Sequence, residues 1–225
     1  MKLKSIAATV ALIAASSLAS ATTSWDLGSY TVTYDETTSF GYLAGAFTSG
    51  GGSVGFHWNF SPTVQVTSVG GSVESASFAM PDFTISVNPG YVLSGPLMGQ
   101  TGNVFYVEVG GATTSITAAS SVSVDGGLPT ALPPTSLAKV STGLSAGYFA
   151  DSGTAPVGVF SSFSVSTASL TLAASGGSFA LIGAQPQNEL AFSFHANPVP
   201  EPETYVLLLA GLGVVASIAR RRRQR

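Results

Sequence analysis

Residues 53–60 read Ser-Val-Gly-Phe-His-Trp-Asn-Phe, and this stretch decides the predicted fold. Its large apolar side chains stand at every second position and alternate with glycine, histidine and asparagine. Successive side chains of a β-strand point to opposite faces of the sheet, so this period of two predicts a strand with one buried face and one solvated face.

The same alternation recurs along most of the chain, between turns rich in glycine, proline and asparagine. Gly110-Gly111 and Gly176-Gly177 are interpreted as two of these turns. About ten short strands are predicted, which favours an all-β fold, an antiparallel β-sandwich or a jelly-roll-like body. The alternating apolar positions are Tyr30, Val32 and Tyr34; Val64 and Val66; Phe83, Ile85 and Val87; Phe105, Val107 and Val109; Val122 and Val124; Phe163 and Val165; Leu170 and Leu172; Phe179 and Leu181; Leu190, Phe192 and Phe194.

Two segments depart from this pattern. Thr135 to Leu144 carries apolar residues three or four apart and is predicted to be a short helix or a loop. Gly127 to Pro134, with three prolines, is predicted to be a long loop crossing between an earlier and a later group of strands. Since each group alone would have a thin core, we expect one domain over residues 22–197.

The charge of this domain restricts its partners. Residues 22–197 contain nine acidic side chains and one basic side chain, Lys139, so their formal charge is 1 − 9 = −8. A domain with one lysine cannot neutralise phosphates, which argues against nucleic acid as a partner. The chain has no cysteine, so neither disulfides nor thiol chemistry is available.

The N-terminus carries an export signal. Lys2 and Lys4 precede the apolar stretch Ile6 to Ala15, and Ala19-Ser20-Ala21 fits a signal-peptidase site. Residues 1–21 are therefore predicted to be a signal peptide, with the Sec translocon and signal peptidase as partners.

The C-terminal tail, residues 198–225, combines three features in a fixed order. Pro200-Glu201-Pro202 is a stiff acidic segment, 204–219 is an uncharged apolar run, and Arg220, Arg221, Arg222 and Arg223 follow in the basic end 220–225. Sixteen residues make a helix of roughly 24 Å, which is close to the thickness of a hydrocarbon core. We expect a transmembrane helix over 204–219, flanked by Tyr205 and the arginines, with the arginines on the cytoplasmic side.

This tail resembles the PEP-CTERM sorting signal of Gram-negative bacteria. The resemblance rests on Val199 to Pro202, the Leu207 to Gly213 run and the four arginines. It implies that a membrane-embedded exosortase recognises Pro200, Glu201 and Pro202 and removes the helix and the arginines. The protein would be held transiently at the inner membrane and then released to the cell surface or the extracellular matrix. The alternative is an ordinary anchor that is never processed.

No catalytic, cofactor-binding or metal-binding residue is predicted. Gly50 to Gly55 matches both a dinucleotide-loop and a hydrolase-elbow pattern, but a strand follows where both need a helix, so a glycine turn is expected. His57 and His195 lie in no motif, and nothing in the sequence pairs acids such as Asp82 and Glu108.

The predicted function is therefore that of a non-enzymatic surface or matrix protein. By resemblance it is expected to accompany exopolysaccharide and biofilm formation. Two alternatives stay open. One is a carbohydrate-binding module, in which Trp25, Trp58, Tyr42 or Tyr148 would stack on sugars. The other is a secreted hydrolase with two close carboxylates or a serine beside a histidine.

Overall fold

The computed structural model describes residues 22–36, 40–184, 189–200 and 202–223. Within these ranges all strand pairs are antiparallel, which confirms the predicted all-β class. The predicted signal peptide and Glu201 lie outside the described residues. The strands are β1 Thr22–Asp26, β2 Tyr30–Asp35, β3 Gly41–Ser49, β4 Ser53–Phe60, β5 Gln65–Ala79, β6 Phe83–Val87, β7 Tyr91–Val109, β8 Ala112–Val124, β9 Thr130–Ala131, β10 Thr135–Ser141, β11 Leu144–Ala155, β12 Val159–Phe160, β13 Ser162–Gly183 and β14 Glu189–Pro198, and the helix is α1 Pro202–Arg223.

The strands form one continuous sheet that folds over on itself along a line of glycine pairs. β13 pairs with β8 as far as Gly176 and with β7 from Phe179 onward. Gly71 of β5 lies beside Gly176, and Gly110-Gly111 leads from β7 into β8. Glycines of all three pairs have φ between 60° and 86°, a conformation that other residues rarely adopt. A Cβ at Gly177 would also overlap the carbonyl oxygen of Val109.

Gly176-Gly177 was therefore predicted wrongly as a turn that separates strands, whereas Gly110-Gly111 separates β7 from β8 as predicted. β5 and β13 each run through their glycine pair as one bent strand, and Gly110-Gly111 joins two strands that do not pair with each other. The predicted sandwich has two separate sheets, whereas the facing layers here belong to a single sheet.

The core lies between these layers, where aromatic rings meet across strands that are not neighbours in the sheet. Tyr34 of β2 packs edge-on against Trp58 of β4, with ring centroids 4.8 Å apart. Phe83 of β6 meets Phe56 at 5.5 Å in the same way. Phe56, Trp58 and Phe60 are buried, as the alternation in residues 53–60 predicts.

The predicted helix or loop over Thr135 to Leu144 is wrong. Residues Thr135–Ser141 form β10, which pairs with β8 from Ala118 to Ala112. The edge of β8 offers unpaired backbone groups, and pairing with them outweighs the weak helical spacing of three apolar side chains. The predicted crossing loop is also wrong in part, because it contains β9, which folds back onto Ser121 and Val122.

The burial of β7 is the reverse of the predicted one. Val104, Tyr106 and Glu108 are buried, whereas Phe105, Val107 and Val109 are only partly buried. Both faces of this strand carry apolar residues, so alternation alone does not identify the inner one. The fold-over decides it, because it covers the face that contains Glu108 with the layer containing β8.

The helix α1 covers the predicted segment 204–219. Among the residues that the structure describes, no helix combines the length and the apolarity that crossing a membrane requires.

Candidate sorting tail

The chain leaves the sheet immediately before the proline-rich segment. β14 pairs with β7 as far as Pro198, which lies opposite Tyr91. The Val199 N–H then donates a hydrogen bond of 2.8 Å to the Gly90 carbonyl oxygen. Pro200 has no N–H to donate and is exposed, so the sheet ends there for a chemical reason.

The segment that links the sheet to the helix is therefore short. Pro200 is exposed, Glu201 lies outside the described residues, and Pro202 is the first residue of α1. Proline suits the first position of a helix because the N–H there has no partner within the helix. Pro200 thus lies between two regular elements, one residue beyond the last sheet hydrogen bond and two residues before the helix.

The apolar side chains of α1 are exposed rather than packed. Leu207, Leu208 and Leu209 are 72%, 59% and 68% exposed, and consecutive helical residues point in directions about 100° apart. Tyr205 and Arg220 are exposed as well, and α1 continues through Arg221 to Arg223. Contiguous apolar surface of this kind marks a site of interaction with another phase or partner.

Two acids of the body, Asp26 and Asp125, stabilise backbone turns. Asp26 Oδ1 accepts hydrogen bonds from the Gly28 N–H at 2.9 Å and the Asn88 amide at 2.7 Å. Asp125 Oδ1 accepts the N–H groups of Ser161 and Ser162 at 2.6 and 2.9 Å.

Asp82, one of the two acids considered for a catalytic pair, has a similar role. Its Oδ1 accepts the Thr167 N–H at 2.9 Å, which holds Thr167 at φ 52°, a value rare for a β-branched residue. Glu108 instead accepts hydrogen bonds from Thr114, so the two carboxylates contact different parts of the chain.

The two histidines also lie apart. His57 is opposite Ala191 and His195 is opposite Ser53, four residues further along the β4–β14 ladder, which is about 13 Å. The His57 ring stacks on Phe47 with centroids 6.4 Å apart. Gly50–Gly52 form a short 3-10 turn followed by β4, as predicted for a glycine turn. In the described ranges no three His, Asp or Glu side chains are grouped as a metal would require.

Glu108 is a buried residue whose role the sequence did not reveal. It is 1% exposed, and its Oε1 accepts both the Thr114 N–H at 2.9 Å and the Thr114 hydroxyl at 2.7 Å. The Oε2 atom has no hydrogen-bond partner among the described residues. These bonds connect β7 to β8 across the glycine bend. No local motif could have indicated this, because the bend alone brings the two residues together.

Two tyrosines of β2 have perturbed acidity. The Tyr30 hydroxyl donates to the Gly55 carbonyl oxygen at 2.8 Å, and burial raises the Tyr30 pKa well above its usual range. Burial also raises the pKa of Tyr34, and the neighbouring Glu36 carboxylate adds to the rise. The Tyr30 hydrogen bond connects β2 to β4.

The aromatic residues named for sugar stacking are dispersed. Trp58 is 2% exposed and belongs to the core. Trp25, Tyr42 and Tyr148 are exposed but lie on three different strands, β1, β3 and β11.

A protein-family model identifies the tail. Residues 198–223 match the PEP-CTERM protein-sorting motif, which confirms the resemblance read from the sequence. The motif implies an exported protein that is sorted by exosortase. No curated protein matches the chain.

Two solved structures show weak similarity. One is the structure of TmCBM61 in complex with beta-1,4-galactotriose, which is 14% identical in sequence. The match covers 63% of this chain and 91% of the TmCBM61 chain, with a TM-score of 0.20. The other is the structure of infectious bursal disease virus, Gx strain, which is 15% identical in sequence. The match covers 81% of this chain and 49% of the viral chain, with a TM-score of 0.19. At these TM-scores neither similarity supports an argument about fold or function.

Proposed function

We propose that the chain is a non-enzymatic cargo protein, exported and then transferred by exosortase to the cell surface or the extracellular matrix. The exposed segment at Pro200, one residue beyond the last sheet hydrogen bond, is the observation that supports this proposal. A processing enzyme needs an accessible backbone, and Pro200, which is exposed and has no N–H to donate, lies outside both the sheet and the helix.

In this proposal α1 holds the precursor at the inner membrane until it is processed. Its exposed leucines supply the apolar surface, and the arginines that follow favour the cytoplasmic side. Removal of the tail would then leave the folded body outside the cell.

The proposed role of the body is structural and extracellular. The engagement of Asp26, Asp82 and Asp125 in backbone hydrogen bonds and the separation of the two histidines support a non-enzymatic role. Association with exopolysaccharide in a biofilm is part of this proposal and rests on the sorting tail alone.

The experiment replaces Pro200, Glu201 and Pro202 together with alanine. Exosortase should no longer recognise the tail, so full-length protein should accumulate in the inner membrane. Pro129→Ala combined with Pro134→Ala is the matched control, because both prolines are exposed and lie in the body. Normal size and normal surface location of the triple variant would contradict the proposal.

A further inference from the structure

A large apolar cavity lies between the two layers of the folded sheet. Its volume is about 550 Å³, within the range of sites that bind small molecules. Its interior walls are buried aromatic and aliphatic side chains, among them Phe60, Leu97, Phe163, Val165, Leu170 and Leu190.

The cavity exists because small residues face each other across the layers. In one layer, four residues are paired side by side across neighbouring strands: Phe56, Phe192, Gly99 and Gly153. The two glycines have no side chains to fill the space. On the other layer Ala118 lies beside Leu170. A core selected only for stability would carry larger side chains at these positions, because an unfilled apolar cavity weakens the fold.

The mouth of the cavity opens at the surface. Exposed residues line it on both sides: on one side Leu132, Pro133 and Thr135, where β9 leads into β10, and on the other Gly153, Thr154 and Pro156, at the end of β11. A ligand can therefore enter from solvent without unfolding the body.

The lining selects against charged and strongly polar ligands. Among the described residues that line the cavity there is no ionisable side chain, and the only side-chain hydrogen-bonding groups are the hydroxyls of Thr101, Ser120, Thr135 and Thr154. A sugar would lose its hydrogen bonds to water without adequate replacement, and water itself occupies apolar cavities poorly. A hydrocarbon chain loses nothing on entry and gains contact with the buried walls.

We propose that this cavity binds the uncharged hydrocarbon chain of a lipid-like molecule, whose polar end remains at the mouth between residues 132–135 and 153–156. This role is independent of the sorting tail, which lies outside the cavity lining.

The test uses N-phenyl-1-naphthylamine, an uncharged fluorescent probe, with exported protein recovered without detergent. We expect saturable binding that 1-hexadecanol displaces and a neutral oligosaccharide does not. 1-Hexadecanol should also raise the melting temperature, because it binds only the folded state.

Gly99→Leu should fill the cavity and weaken probe binding at least tenfold. A Cβ at Gly99 would meet only the Phe192 ring, at 3.7 Å, so the variant is expected to fold. Gly153→Trp at the mouth provides a second test, because a Cβ there meets no atom within 4 Å. Gly158→Leu is the control: the site is equally open but does not line the cavity, so affinity should change less than twofold.

Any of three results would overturn the proposal. The first is the absence of saturable probe binding by the unaltered protein. The second is unchanged affinity in folded Gly99→Leu and Gly153→Trp. The third is displacement of the probe by the oligosaccharide and not by 1-hexadecanol.

Discussion

Leucine side chains in the core of this protein's body are buried, whereas those in its tail are exposed. Leu172 in β13 is 0% exposed, whereas Leu208 in α1 is 59% exposed. In the body, apolar side chains stabilise the fold by leaving water for the space between two layers. In the tail the apolar side chains remain largely exposed, which favours an apolar environment outside the body. The difference separates the residues that make the cargo from those that direct it.

The largest expected effect comes from Gly177→Ala, at the line where the sheet folds over. The added Cβ would overlap the Val109 carbonyl oxygen at a φ of 60°. We expect a loss of about 4 kcal/mol or more in the free energy of unfolding, measured by urea denaturation of the mature protein. Gly28→Ala is the control, since φ is 84° there but a Cβ meets no atom within 4 Å, and about 1–2 kcal/mol should be lost. Equal losses would show that the close approach at the bend is unimportant.

Replacing one leucine by alanine in the body and one in the tail tests whether only the body leucines stabilise the fold. Leu172→Ala should lower the free energy of unfolding by about 2–5 kcal/mol, because it leaves a cavity in the core. Leu208→Ala in the full-length chain should change the stability of the body by less than about 0.5 kcal/mol. A large effect of Leu208→Ala would mean that the helix packs on the body and is part of the fold.

Thr114→Val tests the bond that connects β7 to β8 across the bend. Valine keeps the shape of threonine but removes the hydroxyl that donates to Glu108. Unfolding measurements should show a loss of about 1–3 kcal/mol, because a buried acceptor loses a partner. Thr117→Val is the control, because its hydroxyl bonds to Ser136 at the surface and should contribute little. Similar small losses at both sites would deny Glu108 a structural role.

Tyr30→Phe should have a small effect at neutral pH, about 1 kcal/mol for the hydrogen bond to Gly55. The pKa of Tyr30 is higher in the folded state than in the unfolded state, so the folded state holds its proton more tightly. The contribution of the protonated Tyr30 to the free energy of unfolding is therefore fully present below about pH 10, the pKa of an unfolded tyrosine. It is lost as the pH rises through the pKa that Tyr30 has in the folded state. The free energy of unfolding should fall between about pH 8 and pH 11 in the unaltered protein, and this fall should be smaller in Tyr30→Phe. The same pH dependence in both proteins would contradict this assignment.

Sequence periodicity predicted the strands well where one face is clearly apolar, as in residues 53–60. It failed at β7, where both faces carry apolar residues and only the fold-over decides which one is covered. It also read Gly176-Gly177 as a turn, because a glycine pair that ends a strand and one that bends it look alike. The strand β10 was missed for a related reason, since its partner edge on β8 is a property of the assembled sheet.

The tail could be predicted because its signal is local: Pro200 and Pro202 restrict their own backbone, and the apolar run and the arginines follow directly. The Glu108–Thr114 contact and the cavity could not be predicted, because each depends on residues that only the folded layers bring together.

The most direct test of the central claim is the mass and location of the mature protein in cells with and without exosortase. With the enzyme, we predict a protein outside the cell that lacks α1 and Arg220 to Arg223. Without it, we predict the full-length tail retained at the inner membrane. An extracellular protein that still carries the four arginines would contradict the account.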